Sequence, residues 1–279
     1  MRNNNFRWQY EGLLGKLLST TCPAARETNA RTGEVIRALD PFSFSLDLSD
    51  GKLPVCGVRK TFPRSAAAEV AWFLLGTKSS EFIRRYAPFW DKFLEEDGDT
   101  VAGAYGYRWR HHFGRDQIAD AIATLQHDPT NRRVWISAWD PAQDGLGRPS
   151  KNVPCPVGFT LSISEGRLNS ALMIRSSDVF VGLPYDVMGH ALLMAAAAQS
   201  LGSALGRMHV TLAHPHLYEK HLDMAFEALR GQPSDDTIYL PVWDVDEITQ
   251  EPEMYVEAVA KMAKKIAQPS FACKPEVIV

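Results

Sequence analysis

The chain has 279 residues, a formal net charge of −3, and is 45% hydrophobic and 23% charged. That length buries about three quarters of the unfolded surface in one large domain or two small ones, and the near-neutral balance lacks the basic excess of a non-specific nucleic-acid binder. Neither a secretory signal in MRNNNFRWQYEGLL nor a membrane span is readable, and four scattered cysteines form no disulfide framework and no metal-type pair, so a reduced, cytoplasmic, metal-free protein is expected.

Residues 6–20 read as a helix, and 34–48 as strand material closed by a turn at Ser49-Asp50-Gly51. Residues 65–76 are apolar on nearly every side and end at Gly76, which predicts a buried helix. An amphipathic helix over 115–126 leads into a strand over 132–139. The β-rich runs 158–164 and 168–174 flank Glu165-Gly166-Arg167 and predict a hairpin. Pro184 opens a long helix through Ala198. A strand (208–212), a helix (217–229), a strand (237–242) and a helical segment (254–267) follow. No repeat or linker divides residues 1–279, so one domain is expected. Hairpins mixed with helices, and no Gly-rich phosphate loop, indicate an α+β class.

Three groups are costly unless they work. Glu69 lies inside the apolar run AAAEVAWFLL, where a charged, unpaired carboxylate costs several kcal/mol. It either reaches solvent or an arginine, or acts as a general acid/base with a pKa raised by burial. Cys155 stands between Pro154 and Pro156 on a stiff, extended segment. A lone cysteine is more often a small buried hydrophobe, but cations nearby would make it a nucleophile. Zinc deamination is disfavoured, because Gly158 stands where the second cysteine of that motif belongs and no His-x-Glu precedes it. Arg31, Arg132, Arg133 and Arg175, with Ser176 and Ser177, sit beside turns or strand ends. Singly they read as surface charges, and together as a phosphate clamp.

The ordered landmarks are Arg31-Thr32-Gly33, Glu69 with Trp72-Phe73-Leu74, Trp90-Asp91, Tyr105-Gly106, Asn131-Arg132-Arg133, Ser137-Ala138-Trp139, Pro154-Cys155, Arg175-Ser176-Ser177-Asp178, Gly182, Pro184, His216 and Tyr218. In this order the chain resembles thymidylate synthase from about residue 6 onward. The resemblance implies a large mixed β-sheet with flanking helices, dimerised through the sheet face. It implies 5,10-methylenetetrahydrofolate as the one-carbon donor and Cys155 as the nucleophile at pyrimidine C6. Arg31, Arg175 and Ser176 would bind the 5′-phosphate, with Arg132 and Arg133 reaching it from the other subunit of a homodimer. His216 and Tyr218 would hold the sugar hydroxyl, and Tyr105 would assist proton removal from C5. Glu69 would order water and shuttle protons. Trp90, Asp178 and Gly182 would face the folate, Arg59 and Lys60 its glutamyl tail, and the closing CKPEVIV would cover it.

The departures from that family pattern narrow the substrate. Asp186 stands where the synthases carry Asn, which reads uracil; a carboxyl group can instead accept from the cytosine amino group. The pattern therefore resembles the (deoxy)cytidylate 5-hydroxymethylases. Pro156 and Thr160 replace a His and a Gln of the synthases and are expected beside the exocyclic methylene, where water rather than hydride would be added. Expected is a CMP or dCMP 5-hydroxymethylase, either sugar remaining open, which could serve DNA-precursor modification or a nucleoside antibiotic pathway. A cytidylate or uridylate C5-methyltransferase forming dihydrofolate is the enzyme alternative, and a nucleotide-binding regulatory homologue without turnover is the non-enzyme one.

Overall fold

The computed structural model describes residues 6–21, 24–30, 32–145, 152–234, 237–264, 269, 271 and 275–278. Two β-sheets and a set of helices make the α+β arrangement expected; the larger sheet and the helices share a continuous buried cluster, while Ile36, Ala38 and Tyr218 of the smaller sheet form a second, small one. The first helix, α1 (Phe6–Leu17), buries Phe6, Tyr10, Leu13, Leu14 and Leu17, an apolar stripe at helical spacing.

The smaller sheet has the order β1 (Ala25–Thr28), β2 (Val35–Ala38), β9 (Pro215–Tyr218), β7 (Ser177–Asp178). The larger has the order β3 (Phe42–Asp47), β8 (Ala204–Leu212), β6 (Arg167–Ile174), β5 (Pro156–Ser164), β4 (Trp135–Ser137). It is mixed: β6 and β8 run parallel while the other pairs are antiparallel. The β5–β6 hairpin turns at Glu165 and Gly166, which take φ values of 53° and 70°. This left-handed pair suits the tight right-twisted connection and explains the glycine.

Helix α2 (Pro63–Leu75) starts with Pro63 in its first turn and stops at Gly76, whose φ of 68° is left-handed. Being apolar all round, it is buried, and it packs against both α5 (Leu183–Ser200) and α8 (Pro252–Ala263). A short helix, α3 (Tyr105–Tyr107), continues as a wider turn through Arg108–His112. It lies so close to α2 that a Cβ on Gly106 would run into the Phe73 backbone. Glycine there lets Tyr105 reach the interior.

Helix α4 (Gln117–His127) is capped by the Asp116 carboxylate, which accepts from the Ile118 and Ala119 amides. The chain ends its helical part in α6 (Leu222–Arg230), α7 (Val245–Gln250) and α8. No helix among the described residues is long and apolar enough to cross a membrane.

Two expected elements differ. The helix expected over 217–229 is a strand up to Tyr218, a 3-10 turn over Glu219–His221 and α-helical from Leu222, because Pro215–Tyr218 pairs with β2 and β7 on its two sides. The strand expected over 237–242 reduces to a single bridge between Lys52 and Tyr239. Pro241 has no amide hydrogen to continue a ladder, and Tyr239 and Val242 are exposed. Strand β1, every residue of which is exposed, was not expected.

Candidate active site

A cavity of about 510 Å³ opens between α2, α5, the segment around Trp90 and the start of β5. Glu69, Trp90, Tyr105 and Cys155 border it, as do Ser176, Asp178, Gly182 and Asp186. These come from six separate stretches of chain, brought together by the α2–α5 packing and the two sheets.

Cys155 is half-buried at the entry to β5. The Arg175 amide donates to its carbonyl at 2.9 Å, continuing the β5–β6 ladder by one step. The Arg175 side chain folds back over the same segment. Its Nε donates to the Pro154 carbonyl and its Nη2 to the Val153 carbonyl, both at 2.9 Å, and Nη2 lies 3.8 Å from Cys155 Sγ. Pro154 and Val153 thus fix the guanidinium where it stabilises negative charge on sulfur. On another side, the Cys155 amide donates to Tyr105 Oη at 3.5 Å. Burial, followed by the nearby Cys155 and Asp186, pushes the Tyr105 hydroxyl well above its ordinary pKa.

The acids share the same wall. Glu69 is buried and accepts from the Trp90 indole N–H at 2.9 Å. Burial lifts its pKa to about 7, against the opposing pull of that bond. Asp186, in the first turn of α5, rises to about 8 through burial and the neighbouring Glu69 and Asp178 charges. Asp178 also rises by burial, opposed by the Val181 amide, His221 and Arg59. Its Oδ1 accepts from the Phe180 and Val181 amides at 3.1 and 3.0 Å, which turns the chain into Gly182 and α5. Burial thus raises the pKa of three carboxyls that border one space.

The remaining wall is aromatic. Trp90 packs edge-on to Trp72 at 5.0 Å and against Phe93 at 5.3 Å. Pro275, Val277 and Ile278 border the cavity beside them. Lys92 Nζ donates to the Val277 carbonyl at 2.6 Å and lies 3.6 Å from Glu276, whose other carboxylate oxygen is 3.5 Å from Lys220. The C-terminal segment is thus tied across the mouth. Indole, phenyl and aliphatic surfaces thus line this side of the cavity.

The other expected residues stand elsewhere. His216 and Tyr218 lie on β9, their rings edge-to-face at 5.3 Å, with His216 paired to Asp178 of β7. Burial holds the His216 imidazole neutral, with a pKa of about 4. Arg132 and Arg133 are exposed just before the edge strand β4 and do not border this cavity; Arg133 lines a separate polar hollow with Arg115 and Asp120. Arg31 lies outside the described residues. Arg59 borders the cavity, yet each of its three nitrogens donates to a carbonyl, of Phe180, Lys60 and Val181, so it acts as an internal brace rather than a free cation. Thr160, expected beside the reacting methylene, does not border the cavity, and its hydroxyl accepts from the Ala171 amide at 3.2 Å. Pro156 does border it.

The sequence reading passed over His190. It is buried in α5, borders the cavity, and its Nε2 lies 2.7 Å from Ser170 Oγ. Its position four residues after Asp186, on the same helix face, was the available signal.

The family model described as thymidylate synthase matches residues 8–252. The match spans most of the chain, which therefore belongs to that family.

Proposed function

From this membership, which carries folate-dependent one-carbon transfer to a pyrimidine nucleotide, we propose that the chain is a cytidylate 5-hydroxymethylase acting on CMP or dCMP. The observation that carries the reading is Asp186. A carboxyl group with a pKa of about 8 is protonated at neutral pH. Its O–H donates to cytosine N3 while its carbonyl oxygen accepts from the N4 amino group, the complement of that edge. Uracil offers N3–H and O4 instead, and would leave buried groups mismatched at about 1–3 kcal/mol each.

Cys155, its sulfur 3.8 Å from the Arg175 guanidinium, adds to C6 and makes C5 nucleophilic. Tyr105, next to the cysteine amide, assists removal of the C5 proton, and Glu69 moves protons at the ring and the departing donor. 5,10-Methylenetetrahydrofolate supplies the one-carbon unit, and the aromatic slot of Trp90, with Asp178 and Gly182, suits its ring system. Arg175 and Ser176, with Arg31, form the phosphate site, and His216 and Tyr218 the sugar site.

We place the enzyme in a homodimer. The outer face of the larger sheet carries Ser43, Ser45, His209 and Thr211 in hydrogen-bonded pairs, with Trp135 half exposed. Arg132 and Arg133, remote from their own cavity, are then free to complete the partner's phosphate site. One catalytic domain over residues 1–279, a cytoplasmic setting and a role in modified-nucleoside supply complete the proposal.

Turnover of CMP, dCMP, UMP and dUMP by the protein and by Asp186→Asn, with products identified by mass, tests it. Hydroxymethylated cytidylate from the protein, and a shift of the cytosine-to-uracil kcat/KM ratio by about a hundredfold or more in the variant, are expected. Preferred turnover of a uridylate by the unaltered protein overturns the reading. Methylated product with stoichiometric dihydrofolate selects the methyltransferase.

A further inference from the structure

Hydration of a one-carbon unit requires a held water, and past Asp186 the β5–β6–α5 wall of the cavity has a polar side chain to which no role has yet been given. Beyond Tyr185 and Asp186 in the first turn of α5, the bordering residues on that wall are Pro156, Leu172, Gly189, His190 and Leu193, of which His190 alone carries a polar side chain. The imidazole is fixed on three sides. Nε2 bonds to Ser170 Oγ at 2.7 Å, the ring meets Phe159 edge-to-face at 4.9 Å, and the backbone belongs to the middle of α5. No hydrogen bond to Nδ1 is made by the described residues. The ring stands one helical turn beyond Asp186 and faces the same space.

We infer that His190, oriented by Ser170, holds the water that is added to the nucleotide, and so decides between hydration and other fates of the one-carbon unit. The inference deepens the hydroxymethylase reading and rests on it. With Nε2–H donating to Ser170 Oγ, Nδ1 is an acceptor and points the water's oxygen lone pair toward the carbon. Burial keeps the imidazole neutral, with a pKa of about 3, so it accepts this bond throughout the working range. In the step itself the water oxygen bonds to the methylene carbon attached to C5. The displaced π pair restores the C5–C6 double bond and Cys155 leaves with the S–C6 electron pair. The proton released by the water is taken up, through solvent, by the departing sulfur. No oxidant or reductant is needed.

The test compares the protein with His190→Leu and Ser170→Ala, using C5-tritiated dCMP, methylenetetrahydrofolate and 2-mercaptoethanol. Tritium release reports the steps up to carbon transfer, and mass analysis reports hydroxymethylated product and any thioether formed by thiol capture. For His190→Leu, product per tritium released should fall about tenfold, with thioether taking its place, a change in ratio that general loss of structure does not produce. Ser170→Ala, which frees the ring without removing it, should move the same ratio about threefold in the same direction. An unchanged ratio in His190→Leu overturns the inference; where that variant does not fold, an unchanged ratio in Ser170→Ala does so. Methylated nucleotide from the unaltered protein removes the hydroxymethylase reading itself, an outcome distinct from normal hydration with an unmoved ratio.

Discussion

The Trp90 indole N–H donates to a Glu69 oxygen at 2.9 Å within the cavity. This bond favours the carboxylate, while burial favours the acid and lifts the pKa to about 7. Trp90→Phe removes the first effect and leaves the second. Glu69 should then stay protonated to higher pH, and the limb of the pH–kcat profile that reports it should move upward. A loss of about tenfold in kcat at neutral pH is expected, the scale of one hydrogen bond to a charged group. A limb that stays in place or moves to lower pH contradicts the assignment.

Asp186 links the same electrostatics to stability. Its folded pKa, about 8, is raised above the ordinary 3.8. Between those values the unfolded chain releases the proton and the folded one keeps it, so stability declines as pH rises, by at most about 1.4 kcal/mol per unit. Asp186→Asn has no proton to lose. Its melting temperature should match that of the parent near the acid end of the window and exceed it increasingly toward the alkaline end. A constant difference across the window shows that the carboxyl is not buried in its acid form.

Arg175 bears on the reactivity of the nucleophile. Arg175→Gln removes the guanidinium 3.8 Å from Cys155 Sγ. Alkylation of Cys155 by iodoacetamide at neutral pH should slow by about tenfold. Peptide mapping separates it from Cys56, which is fully buried. Unaltered alkylation at Cys155 shows that the sulfur does not depend on this cation.

Arg108 and Asp144 form a buried pair at 3.1 Å, with side chains 3% and 0% exposed. The second Asp144 oxygen accepts from the Asp140 amide at 2.8 Å, so the pair fixes the turn after Trp139. Asp144→Ala leaves a buried guanidinium with a weakened network and should reduce stability by about 3–5 kcal/mol in urea titration. The double variant Arg108→Met/Asp144→Leu should recover much of the loss. Additive losses in the double variant show that the charges act independently.

The parts legible beforehand are those where local pattern and packing agree. The 158–174 hairpin alternates and carries Glu-Gly at its tip, and the turn is left-handed there. Helix α2 is apolar on nearly every side and is buried apart from Arg64 in its first turn. Residues 215–218 misled because an amphipathic helix follows directly and nothing in four residues announces partners from β2 and β7, far away in the chain. Glu69 and Cys155 stood out as polar or reactive groups in unlikely surroundings, Asp186 as a departure from the family pattern, and all three border one cavity. His190 did not, since a lone histidine in an alanine-rich helix is usually a filled core position. Only the fold reveals that Ser170, on β6, meets it.

The tether of the C-terminal segment has a kinetic consequence. Glu276 is held between Lys92 and Lys220, and Lys220 also reaches Glu34, just before β2. These are solvent-facing ions, each worth at most about 1 kcal/mol, and screened at high salt. The acids deep in the cavity are shielded from that screening. Ionic strength therefore acts as a throttle on entry: added salt should raise the apparent KM for the folate while leaving the choice between cytosine and uracil untouched. A choice of base that drifts with salt would show that the doorway and the reading head are one and the same.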